Sequence, residues 1–302
     1  MKKITIILFI SLLTFIFSHS AQAKLKVFAC EPEWGALAEE IGGEALKIYV
    51  ATTGKQDPHY IQARPSLLAK ARRAELLFCT GAELEIGWLP LLLRKTGNWK
   101  IRPGQPGHFM ATDYVVLRDK PRYLDRSEGD IHPAGNPHVH LNPHNITRIA
   151  EALATRLAKL DPNNAWHYQT RHQDFVKRWE EAIEGWEAQA MVLKDVPIVV
   201  HHKSWVYLEQ WLGLKQIAAL EAKPGIPPSG SYLASVLNQL RYEPAKMVIY
   251  AAYQNPRSAR WLSRRTGLPV VELPFTVGGT TEATDLFSLF DDTLKRLQDA
   301  IK

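Results

Sequence analysis

The sequence predicts an α/β protein built as two Rossmann-like lobes with parallel sheets, joined by one long rigid helix. Three observations carry this. Short apolar, β-rich runs alternate with helical ones up to residue 80, and the same alternation resumes after residue 196. Between the two blocks, the run from Pro162 to Lys194 holds no internal proline and a single glycine, Gly185. Strand and helix in strict alternation argue for parallel sheets covered by helices.

In order, Leu25 to Cys30 reads as a strand, Trp34 to Ile41 as a helix stopped by Gly42-Gly43, and Leu46 to Ala51 as a second strand. Pro65 to Arg73 is helical, with Pro65 at the first helical position, where its missing N–H is harmless. Ala74 to Cys79 is a third strand. The Pro- and Gly-rich section from Arg102 to Pro137 is irregular, with a strand expected at Tyr114 to Leu117. Asn145 to Leu160 is an amphipathic helix. The following run, with Trp166, Phe175, Trp179, Ile183 and Trp186 at broadly helical spacing, extends roughly 33 residues and so about 50 Å. Its tryptophans are expected in core and interlobe packing. Then come strand Pro197 to Val200, helices Trp205 to Leu212 and Ser231 to Arg241, and strand Met247 to Tyr250. Helix Arg257 to Thr266, strand Pro269 to Leu273 and a last helix from Thr284 to Ala300 complete the chain. The expected organisation is residues 1–23 an export signal, 24–160 the N-terminal lobe, 161–194 the linking helix and 195–302 the C-terminal lobe.

The export signal is read from Lys2-Lys3, the apolar stretch Ile4 to Phe17 and the Ala21-Gln22-Ala23 cleavage pattern. Cleavage near Ala23 makes the protein periplasmic. Cys30 lies too far along for a lipid anchor, and no later segment reads as transmembrane. With only Cys30 and Cys79 present, the even count in an exported chain favours a disulfide, buried thiols being the alternative. The formal charge of +6 is spread among acids, without the basic run that nucleic-acid binding needs.

Function is read from the histidines. Asn136-Pro137-His138-Val139-His140-Leu141-Asn142-Pro143-His144 packs three imidazoles between prolines. Asp57-Pro58-His59 precedes it and His201-His202 follows the strand at Pro197. Histidine is the commonest metal ligand, and ligands of open α/β sheets gather beyond the carboxyl ends of strands. His59, His202 and the Asn136 segment can therefore face one interlobe cleft, where a metal site is expected.

Asp57-Pro58-His59 is followed six residues after His59 by Pro65-Ser66. Thr80-Gly81 leads to Glu85 and Trp88, His202 stands five residues before Tyr207, and Gly213 closes that helix. With the Asn136 segment, these motifs resemble the substrate-binding proteins of zinc and manganese ABC importers over essentially the whole mature chain. The resemblance implies a monomeric binding protein that captures Zn²⁺ as cargo and delivers it to an ABC permease in the inner membrane. It implies His59, His138 and His202 as metal ligands. Family members usually add a carboxylate from a late loop, but Leu273 to Gly279 holds no acid. Water, Glu272, Asp285, His140 and His132 are the candidates for the fourth position. Three imidazoles suit Zn²⁺ better than Mn²⁺. Otherwise His108, His132, His144, His167 and His172 read as surface residues, and Glu31 and Glu33 as lining the cleft mouth. A secreted three-histidine zinc hydrolase is the rival reading, and it lacks any accompanying catalytic motif.

Overall fold

Two parallel four-stranded sheets organise the computed structural model, which describes residues 23–121 and 129–302. The first contains β1 (Leu25–Ala29), β2 (Leu46–Val50), β3 (Leu76–Cys79) and β4 (His108–Met110), in the order β2-β1-β3-β4. The second contains β5 (Pro197–Val200), β6 (Lys215–Ala219), β7 (Met247–Ala251) and β8 (Val270–Leu273), in the order β6-β5-β7-β8. Strands β3 and β7 are buried throughout, as strands covered by helices on both faces must be. In each sheet the chain leaves the first strand for one neighbour and later returns to its other side. A crevice opens at the carboxyl end of that strand, where loops from both directions splay apart. The predicted export signal lies, but for Ala23, outside the described residues.

The helices are α1 (Pro32–Gly42), α2 (Pro65–Ala71), α3 (Leu89–Thr96), α4 (Pro143–Leu160), α5 (Ala165–Ala190), α6 (Val206–Leu212), α7 (Gly230–Gln239), α8 (Arg257–Thr266) and α9 (Leu286–Asp299). Among the described residues, none is long and apolar enough to cross a membrane. Helix α3 and strands β4 and β6 lie where no element was expected. Tyr114 to Leu117 forms no strand. The fourth position of the first sheet is taken instead by three residues centred on Phe109, fully buried against Phe78 and stacked on Tyr114. Val116 is 75% exposed, so that run has no core to face.

Helix α5 spans 26 residues, about 39 Å at 1.5 Å per residue, with one turn of 3₁₀ helix at each end in place of the longer helix expected. Its first half is bonded to the end of α1, through Arg171 to the Glu39 and Glu40 carbonyls and Arg178 to the Glu40 carboxylate. Farther along, Trp179 and Trp186 pack on Phe287 and Phe290 of α9. One helix thus grips both lobes through different halves of its length. Trp166 departs from the expectation for the tryptophans: it is 77% exposed. A second tie lies across the cleft. Lys55 pairs with Glu272 at 3.1 Å, and Gly54 sits so close to the Gly278–Gly279 backbone that an added Cβ would lie 2.3 Å from a main-chain nitrogen.

At the crevice of the first sheet, Cys30 and Cys79 follow or end the adjacent strands β1 and β3 and are joined in a disulfide, Cα atoms 4.7 Å apart. Beside it three carboxyl groups are buried. Glu85 accepts hydrogen bonds from the Thr80 and Gly81 N–H groups. Glu31 accepts one from the Thr80 hydroxyl, and its other oxygen has no partner. Glu33 accepts from the Thr276 hydroxyl. Glu31 and Glu33 are 3% and 2% exposed, so they form a floor beneath the cleft and do not line its mouth as expected. Burial pushes the Glu85 carboxyl up to about 7, and burial with the Glu85 and Glu33 charges pushes Glu31 up as well.

Two outcomes follow from this floor. Replacing both cysteines by alanine releases a loop of sequence separation 49 and is expected to remove about 4 kcal/mol in the chain-entropy limit, read from denaturant midpoints. The folded carboxyls bind protons more tightly than the unfolded chain, where they titrate near 4.5. Their contribution is complete below that pH and is lost as pH rises through each raised folded value, about 7 for Glu85. Glu31→Gln removes one of these charges, so its stability relative to the unsubstituted protein should increase between pH 5 and pH 8. A difference that stays constant with pH would contradict this account.

Candidate metal centre

Three connecting segments bring four imidazoles to one point between the sheets. His59 follows β2 in a short 3₁₀ turn whose N-cap is Asp57. His138 and His132 come from the segment after β4, and His202 from the turn after β5. The ring centroids of His59 lie 5.3 Å from His132, 5.7 Å from His138 and 6.3 Å from His202. His138 lies 6.3 Å from His132 and 6.4 Å from His202. All three sequence-predicted residues are thus brought together, and His132, read mainly as surface, joins them.

The outer nitrogens of three rings are held. His59 Nδ1 is 2.7 Å from Asp57 Oδ1, which also accepts the His59 N–H. His202 Nδ1 is 2.8 Å from Glu221 Oε2, and His132 Nδ1 is 3.1 Å from the Ala82 carbonyl. Acceptors at Nδ1 keep the proton there and leave the Nε2 lone pair free, the arrangement in which metal-binding histidines are oriented. His138 is 1% exposed and its Nδ1 has no partner. Burial, followed by the neighbouring imidazoles, holds His138 neutral well below the ordinary imidazole range, and the same causes bring His132 to about 3. Burial alone would raise Glu221, yet the hydrogen bonds from His201 and His202 pull it down to about 2, so it stays ionised. Asp57 is likewise lowered, its hydrogen bond with His59 outweighing burial.

A tetrahedral zinc with bonds of about 2.0–2.1 Å would set ring centroids about 5 Å apart. The cluster is wider, and metal binding would draw the rings in by about an ångström. Among the described residues, the only three candidate donor side chains with atoms mutually within 4.8 Å are Cys30, Cys79 and Glu85. There the sulfurs are bonded to each other, which removes that trio as a metal site.

Apart from His132 and water, the side chains considered for the fourth position are engaged elsewhere. Glu272 binds Lys55 and the Tyr250 hydroxyl, and Asp285 caps α9. His140 is 2.9 Å through Nε2 from the Phe275 carbonyl and 3.3 Å through Nδ1 from Glu33. His144 is half-exposed and pairs with Glu187. The late loop, where the resemblance expects an acid, supplies Phe275 instead, its ring 5.2 Å from His138 and 5.2 Å from Trp205. Tyr207, noted only for its spacing, donates to the Asn136 carbonyl at 2.7 Å, and Asn136 donates to the Lys203 carbonyl. These bonds lock the Pro-His segment to the second lobe. Glu221 escaped the sequence reading. Its signal was its place just beyond a strand that went unrecognised. A cavity of about 420 Å³, lined by Asp57, His59, His202, Glu221 and Tyr253 among others, leads to the cluster.

Comparisons with known proteins bear on the fold and the family. Over 259 residues the chain is 21% identical to the high-affinity zinc uptake system protein ZnuA of Bacillus subtilis, covering 82% of this chain and 76% of that protein. It is 23% identical over 269 residues to the manganese ABC transporter substrate-binding lipoprotein PsaA of Streptococcus pneumoniae, covering 86% and 82%. A crystal structure of ZnuA superposes with a TM-score of 0.77 at 22% identity, covering 93% of this chain and all of that one, and so shares the fold. A model of the family described as zinc-uptake complex component A, periplasmic, matches residues 27–300, and the chain belongs to that family.

Proposed function

We propose that this protein captures Zn²⁺ outside the cytoplasm through His59, His138 and His202 and hands it to an ABC permease in the membrane. The observation that carries the reading is the convergence of imidazoles from separate loops on both lobes, with carboxylates holding the outer nitrogens of His59 and His202. A family of uptake components binds cargo and passes it on; its members are not enzymes. Relatives are named for zinc and for manganese, and the donor set here supports zinc. Imidazole nitrogens favour Zn²⁺, whereas Mn²⁺ prefers hard oxygen donors, and the acids nearest the cluster are engaged with the outer ring nitrogens. The lobes, residues 24–160 and 195–302, would move little about so well-anchored a helix, and closure would be confined to the loops that bear the histidines.

Two measurements test this. His59→Ala or His202→Ala should weaken zinc binding by about 100-fold or more with circular dichroism unchanged, measured by calorimetry against a zinc buffer. Unaltered affinity in both would remove the assignment. Glu221→Gln, which leaves every imidazole in place, should weaken it by about 10- to 100-fold by loosening His202. Retention of full affinity would show that the carboxylate plays no part in orienting the ligand.

A further inference from the structure

We infer that His132 is the fourth metal ligand, so that the site is an all-imidazole tetrahedron and the loop bearing His132 is the element that selects zinc over manganese. This rests on the capture function proposed above. The inference starts from one distance: Nε2 of His132 and Nε2 of His59 face each other at 3.3 Å. Two nitrogens bound to one tetrahedral zinc lie about 3.3–3.4 Å apart, given bonds of about 2.0–2.1 Å. With Nδ1 of each ring donating to its acceptor, the two Nε2 lone pairs face each other at that distance. The contact is repulsive unless a cation or a proton lies between them. The Asp57 and Ala82 acceptors hold both rings in that attitude.

The backbone around His132 is fastened on both sides of the cleft. Asp130 donates its N–H to the Pro224 carbonyl, on the loop that follows β6, and accepts a hydrogen bond from the Tyr60 hydroxyl at 2.6 Å. Gly129, at a φ of 87°, approaches Pro224 so closely that a Cβ there would lie 2.0 Å from its carbonyl oxygen. His132 thus lies on a strap whose anchors belong to the first lobe at Ala82 and the second at Pro224. The strap does at this site what a late-loop carboxylate would otherwise do, and Phe275 fills the space that the missing acid leaves. Exchanging an oxygen donor for a fourth imidazole moves the site toward zinc and away from manganese.

The test uses metal-free full-length mature protein and three variants: His59→Ala, His132→Ala and His132→Asn. The asparagine can still donate to the Ala82 carbonyl and has no imidazole, so it reports on ligation if the alanine variant folds poorly. Zinc affinity is measured by competition with a chromophoric chelator, Mn²⁺ affinity by calorimetry, and ligand field by the visible spectrum of the Co²⁺ form. Both His132 variants should lose about 100-fold or more in zinc affinity and less than about threefold in Mn²⁺ affinity, with Co²⁺ bands shifted to longer wavelength as water replaces nitrogen. Zinc affinity within about threefold of the unsubstituted protein, with an unchanged Co²⁺ spectrum, would overturn the inference. The His59 variant separates the two levels. Loss of zinc there with none in the His132 variants rejects only the fourth ligand, whereas no loss in any variant rejects zinc capture at this cluster.

Discussion

A metal site assembled from several loops depends on one constraint: each imidazole must present an unprotonated nitrogen inward. For three of the four rings this chain meets it from outside the cluster. Asp57, Glu221 and the Ala82 carbonyl each take an outer Nδ1, and so choose tautomer and ring direction together. Everything behind those acceptors serves to fix where they stand. Asp57 caps the turn that carries His59, Glu221 follows β6, and Ala82 follows β3. The sheets set the strand ends, and α5 sets the two sheets relative to each other.

That helix explains how so divided a site can be precise. Its tryptophans stack on α9 while its arginines bind the end of α1, so the two lobes share one packed spine. Gly54 against Gly278–Gly279 and Lys55 against Glu272 add a second tie on the far side of the cluster. With the lobes held at two places, adjustment on metal binding falls to the loops, which need to move the rings only by about an ångström.

Much of this was legible in the sequence, and the failures have physical reasons. Most strands betrayed themselves by runs such as Leu76-Leu77-Phe78 and Met247 to Tyr250. Strand β4 is only three residues long, and β6, Lys215-Gln-Ile-Ala-Ala219, carries too little apolar mass to stand out. Missing β6 hid Glu221. His59, His138 and His202 were readable because prolines or a strand end fix each one locally. His132 stood only as one of several candidates for the fourth position, because bonds to Ala82 and, through Asp130, to Pro224 position it across long sequence separations. Glu31 and Glu33 misled because acids in a first helical turn usually face solvent, whereas α1 begins inside the crevice beneath the histidines.

The two carboxylates behind His59 and His202 have a consequence for how the protein is recognised. Against burial, hydrogen bonds from those rings hold both carboxyls below the ordinary carboxylate range, so each keeps its charge beside the cluster. A divalent ion bound among the rings would make the potential at the cleft more positive. Such a change is felt over the screening length of about 8 Å at physiological ionic strength. A docking partner can sense occupancy by electrostatic potential alone, with no large change of shape to report it.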